Sequence, residues 1–125
     1  MIKGVGIDLV EIARIDRLMQ KRKAAVEKRL FTPDELASCS RAVHRLAGRF
    51  AAKEAFFKAL GTGVRRYKWL EVEVRNDSLG APHFRFSPRL QSYLAENGVT
   101  RTHLTITHGK EYAVAQVILE GDDQA

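Results

Sequence analysis

The sequence predicts an α+β domain in which one long buried helix packs on a largely antiparallel sheet. Three observations predict it. Within a helix read from about Arg41 to Leu60, the stretch from Phe50 to Leu60 is apolar nearly all round the helical wheel, the mark of a buried helix. The second half of the chain instead alternates with a period of two, as in WLEVEVR, HFRF, HLTIT and YAVAQVIL. The order strand, helices, hairpin, helix, hairpin lacks the regular strand–helix alternation of a parallel sheet.

Each element has its own signal. Ile2 to Leu9 reads as a strand, with Ile2, Gly4, Gly6 and Asp8 on one face and Lys3, Val5, Ile7 and Leu9 on the other. A helix follows, its apolar side set by Ile12, Ile15, Leu18 and Met19, its opposite side by Arg14, Arg17, Lys21 and Arg22. Thr32-Pro33-Asp34-Glu35 is a helix start, with Thr as N-cap, Pro in the first turn and Glu closing a capping box. The long helix from about Arg41 stops at Gly61, a natural C′ residue. Leu70, Val72 and Val74 alternate with Glu71, Glu73 and Arg75 as a half-exposed strand. Asn76-Asp77 and Gly80 turn it into a partner over HFRF. Ser87-Pro88 opens a short helix ending near Asn97-Gly98, and a His-Gly-Lys turn joins the last two strands.

At 125 residues, without repeats or linker-like stretches, residues 1–125 are expected to form one domain with a substantial core. Cys39 is the only cysteine, so no internal disulfide is possible and a reducing compartment fits. No signal-peptide pattern and no apolar run of about 18 residues is present, so a cytoplasmic protein without a membrane partner is expected. The net charge of +6 points to an anionic partner without identifying it. A small nucleic-acid-binding module is compatible with that charge. No recognisable nucleic-acid motif accompanies it, and the aromatics fall mostly on apolar faces, so no nucleic-acid partner is expected.

Two acidic residues stand where acidic residues are costly. Glu54 falls between Phe50 and Phe57 on the buried helix, where a carboxylate needs a cation or good donors. An i,i+4 pair with Lys58 is one solution, but a weak one, worth about 0.2–0.5 kcal/mol on an exposed helix. A cleft holding a cation and an anion is the other. Asp8 shares its strand face with Gly4 and Gly6, where a ligand or another backbone can approach closely. It reads equally as the last strand residue or as an N-cap. Together, two carboxylates among many lysines suit Mg²⁺ held with substrate phosphates. Gly61-Thr62-Gly63 and His108 are weak signals by themselves.

Taken in order, GVGIDLVEIARI, FTPDEL, LAGRFAAKEAFFKALGTG, GAPHF and LTITHGKEYAVAQVIL resemble the holo-(acyl carrier protein) synthases, small 4′-phosphopantetheinyl transferases. The resemblance covers the chain end to end. It implies Mg²⁺-dependent transfer of 4′-phosphopantetheine from coenzyme A to a serine of apo acyl carrier protein, releasing adenosine 3′,5′-bisphosphate. It implies that Asp8 and Glu54 hold Mg²⁺ with the diphosphate and that Lys58 contacts the transferred phosphate. Glu54, directly or through a water, is the candidate acceptor of the serine proton. Arg49, Lys53, Gly61, Thr62, Gly63, Pro82 and His108 are implied as coenzyme A contacts, Arg49 and His108 near the 3′-phosphate. Arg14, Arg17, Lys21 and Arg22 would meet the acidic carrier. A homotrimer with active sites between subunits is implied as well.

Overall fold

The computed structural model describes residues 1–61 and 66–122. The chain runs β1 (Ile2–Glu11), α1 (Ile12–Leu30), α2 (Pro33–Ser38), α3 (Val43–Leu60), β2 (Val72–Asn76), β3 (Pro82–Phe86), α4 (Pro88–Glu96), β4 (Val99–His108) and β5 (Tyr112–Gly121). Two antiparallel sheets result: a three-stranded one in the order β1-β5-β4 and the β2-β3 hairpin. The α+β reading with a largely antiparallel sheet is therefore correct.

Helix α3 lies between them. Ala51, Ala52, Ala55, Phe56 and Ala59 are buried, and so are Phe50 and Phe57 on the other side. Phe56 meets Phe84 and Phe86 of the hairpin, and Phe50 and Phe57 meet Trp69. The alanine side rests on β1 so closely that a Cβ on Gly4 would collide with the Ala59 carbonyl, and one on Gly6 with the Ala55 carbonyl. The strand glycines thus admit the helix backbone, not a ligand, and they seat α3 directly over the row that continues into Asp8. Gly61 ends α3 with φ 83°, the left-handed conformation in which glycine avoids a Cβ clash.

Two local differences from the sequence reading have physical causes. Trp69–Glu71 forms a short 3₁₀ turn, so the strand starts only at Val72. Glu71 is drawn out of the ladder by the Lys68 amide at 2.7 Å, the Ser87 hydroxyl at 2.9 Å and the Arg89 guanidinium at 2.8 Å. Trp69, in turn, is taken up by the α3 phenylalanines. Helix α1 departs from helical geometry at Arg22 (φ −141°, ψ 46°), which redirects its second half and divides its basic residues between two segments. The capping box of α2 forms as read: the Glu35 amide donates to Thr32 Oγ1 at 3.1 Å, and the Thr32 amide to Glu35 Oε1 at 3.0 Å.

Candidate functional site

The register of the three-stranded sheet places Asp8 opposite Ala115, on the face that α3 covers. Asp8 is nearly buried. Its Oδ1 accepts a hydrogen bond from Lys58 Nζ at 2.7 Å, and Lys58 also donates to the Ile7 carbonyl at 3.3 Å. The Asp8 contact holds the Lys58 ammonium above its ordinary lysine range. Lys58 therefore serves Asp8, and no Glu54–Lys58 hydrogen bond or ion pair forms among the described residues. Glu54 stands half-buried beside Asp8. Burial, chiefly, pushes its carboxyl up to about 7, and the neighbouring Asp8 carboxylate adds to the rise, while the Arg14 and Lys58 cations oppose it.

The second oxygen of Asp8, Oδ2, is buried and has no hydrogen-bond partner among the described residues. A buried carboxylate oxygen left unmatched costs free energy, and a second carboxylate alongside raises that cost. A hard divalent cation resolves both defects at once, and two oxygen ligands are the number Mg²⁺ takes from protein when phosphates and waters complete its shell. The donor set fits that ion. Among the described residues no third Asp, Glu, His or Cys joins the pair.

Arg49, Pro82 and His108 gather at the opposite edge of the sheet, whereas Gly61 ends α3 one turn beyond Lys58. Arg49 lies five residues before Glu54, which turns it about 140° around α3. It faces β4 and the hairpin, where a cavity of about 220 Å³ is lined by Ser38, His44, Arg45, Arg49, Pro82 and His108, among others. The Arg49 guanidinium is buried, its Nε has no partner, and it makes no ion pair with the described residues. A buried cation left open in this way calls for an anion. The rings of His44 and His108 approach to 4.9 Å at the wall. Asp8, Glu54 and Lys58 are not on the lining of this cavity. One chain thus holds a cation-seeking pair and an anion-seeking cavity on opposite flanks of the same helix.

Lys53 belongs to neither. The expectation that it contacts coenzyme A is corrected by its complete burial. Its ammonium donates to Glu35 Oε1 and to the Leu30 carbonyl, each at 2.7 Å, and to the Trp69 carbonyl at 3.2 Å. Glu35 Oε2 accepts the Val74 amide at 2.8 Å. Three partners exhaust an ammonium, so none is left for a ligand. Thr62 and Gly63 lie outside the described residues. Arg14, Arg17, Lys21 and Arg22 are all exposed, and Arg17 makes a loose pair with Glu11 at 3.4 Å. The sequence reading passed over His44 and Arg45. Their signal was the i,i+4 spacing of Arg45 and Arg49, which sets both on one face of α3.

The matching family model decides whose architecture this is: residues 4–117 match that of the 4′-phosphopantetheinyl transferase superfamily. The chain belongs to this family. It is 48% identical over 124 residues to a holo-[acyl-carrier-protein] synthase of Trichlorobacter lovleyi, covering 96% of this chain and 98% of that one. The fold is similar to the crystal structure of the holo-[acyl-carrier-protein] synthase of Neisseria meningitidis, with a TM-score of 0.89 at 40% identity, over 96% of this chain and 99% of the other. It is also similar to the Helicobacter pylori synthase in complex with coenzyme A, with a TM-score of 0.86 at 29% identity, over 93% and 99% of the two chains.

Proposed function

We propose that this protein is a single-domain holo-[acyl-carrier-protein] synthase, transferring 4′-phosphopantetheine from coenzyme A to a serine of apo acyl carrier protein. The serine oxygen bonds to the pantetheine-side phosphorus, the bond from that phosphorus to the bridging oxygen breaks, and adenosine 3′,5′-bisphosphate leaves. The serine proton must pass to a base. The observation that carries this reading is the Asp8–Glu54 pair with its unmatched Oδ2. Asp8 and Glu54 would hold Mg²⁺, which supplies charge neutralisation for the diphosphate oxygens. Lys58, fixed by Asp8 yet well exposed, brings its ammonium to the same oxygens. Arg49 and His108 receive the 3′-phosphate, and Pro82 and Gly61 border the coenzyme.

The two halves lie apart in one chain, and a homotrimer brings them together, the carboxylates of one copy facing the Arg49–His108 cavity of the next. The outer face of the three-stranded sheet supports this assembly: Val5, Ile7 and Leu9 are each more than half exposed, and Tyr112 is exposed beside them. Such an apolar row on one face is what a subunit partner covers. No described helix is long and apolar enough to cross a membrane. A cytoplasmic setting fits the lone, buried Cys39.

The test is to incubate the protein with coenzyme A, Mg²⁺ and apo acyl carrier protein and to weigh the carrier. A phosphopantetheine mass gain that chelation abolishes is expected. An unmodified carrier would overturn the reading. Mixing inactive Glu54→Ala and Arg49→Ala chains tests the shared site: activity should reappear in the mixture, and a mixture as inactive as its parts would refute the shared arrangement.

A further inference from the structure

The first two turns of α3 carry two arginines that form no ion pair with the described residues. Arg45 and Arg49 are four residues apart on one face of the helix, and both line the 220 Å³ cavity. Like charges at that spacing destabilise a helix. No Asp or Glu is on the cavity lining to offset them. Arg45 is exposed and makes no hydrogen bond or ion pair with the described residues, and Arg49 is buried with its Nε unmatched. His44, also exposed, places its ring 4.9 Å from that of His108, so two imidazole donors face the same space. Two fixed cations, two imidazoles and no carboxylate describe a receptor for a doubly charged anion. The volume has room for a phosphorylated sugar and not for a whole coenzyme.

We propose that Arg45 and His44 make this cavity selective for a coenzyme bearing a phosphomonoester over its dephosphorylated form. The inference rests on the reading that coenzyme A occupies the cavity. Arg45 extends over the phosphate from the solvent side while Arg49 approaches from the buried side, and His44 supports His108 and adds a donor. Both side chains lie at the surface, so their removal leaves the core and the Lys53–Glu35 network intact.

Transfer measured with coenzyme A and with 3′-dephospho-coenzyme A tests it. Arg45→Ala should lower kcat/KM for coenzyme A about tenfold, through KM, and His44→Ala about threefold. With the dephosphorylated coenzyme each loss should stay within about twofold, so the preference collapses. Equal losses with both coenzymes, or an unchanged preference, would overturn the inference and leave the transferase reading standing. A wild-type protein that transfers from neither coenzyme overturns that reading and the inference with it. Calorimetry on the wild type serves as an independent measurement: adenosine 3′,5′-bisphosphate should bind about tenfold more tightly than adenosine 5′-monophosphate. Equal affinity for the two also overturns the inference.

Discussion

Lys53 and Glu54 are neighbours on one buried helix, and the protein treats them in opposite ways. Around Lys53 every bond is made: Glu35, the Leu30 carbonyl and the Trp69 carbonyl take its three protons, and Glu35 is completed by the Val74 and Thr32 amides. At the Asp8–Glu54 pair the charge is left open: two carboxylates stand side by side, and Asp8 Oδ2 has no hydrogen-bond partner among the described residues. Arg49, on the far flank, is left open in the opposite sense. A buried charge alone does not mark a site, because the protein completes some of them. What marks one is a buried charge whose partner the chain withholds.

Removing the open charges breaks the comparison on the functional side. Asp8→Ala and Glu54→Ala should each lower transfer by a factor of about 10²–10³ or more, with the folded structure retained by circular dichroism. Neither carboxylate is a hub of the hydrogen-bond network, so stability should hold or rise. If either variant kept full Mg²⁺-dependent activity, that carboxylate would be no metal ligand.

The completed charge should behave in reverse. Lys53→Met strands Glu35 in the interior and should cost about 3–5 kcal/mol of stability, read from urea unfolding. Adding Glu35→Gln should recover part of that loss, since the stranded charge is gone. A Lys53→Met protein as stable as wild type would show that the pair contributes nothing net.

How much of this contrast was legible beforehand follows from what a side chain's own segment reveals. The buried helix, the Gly61 stop and the capping box depend on local periodicity and turn chemistry, and each was readable residue by residue. The carboxylate pair was readable as a cost: Glu54 sits where a carboxylate is expensive. Its resolution was not, because Lys58 bonds across to Asp8 on another strand. Lys53, which the resemblance sets at the coenzyme, was unreadable for the same reason. Its partner lies 18 positions away, and Glu35 was already accounted for as a helix cap. The strand glycines pointed to a close approach but could not say by what. None of the motifs that carry the resemblance includes His44 or Arg45, so the resemblance conferred no role on them.

The open pair should also respond to pH in the metal-free protein. Glu54 in the folded state titrates at about 7, against 4.5 for an ordinary glutamate. The folded protein therefore holds this proton more tightly than the unfolded chain. The stability it contributes is full below pH 4.5 and is lost as pH rises through 7. Thermal midpoints in a chelator should fall by a few degrees between pH 5 and pH 8, relative to a Glu54→Gln protein. Mg²⁺ at pH 8 should restore them. Parallel curves for the two proteins would mean that Asp8 and burial do not strain Glu54.

The smallest expected effect separates two arginines on α1. Arg17 is exposed and, among the described residues, held only by Glu11 at 3.4 Å, a contact of little energetic weight. Arg17→Glu should raise KM for the acidic carrier about three- to tenfold at low salt, leave KM for coenzyme A unchanged, and lose its effect as salt is added. Arg14 differs because its charge reaches Glu54 and lowers that carboxyl's pKa. Arg14→Glu should therefore weaken the carrier as Arg17→Glu does and, in addition, move the pH dependence of metal-free stability upward. A substitution at Arg14 that altered only the carrier KM would place its guanidinium with the docking surface alone; one that altered only the pH dependence would remove it from that surface.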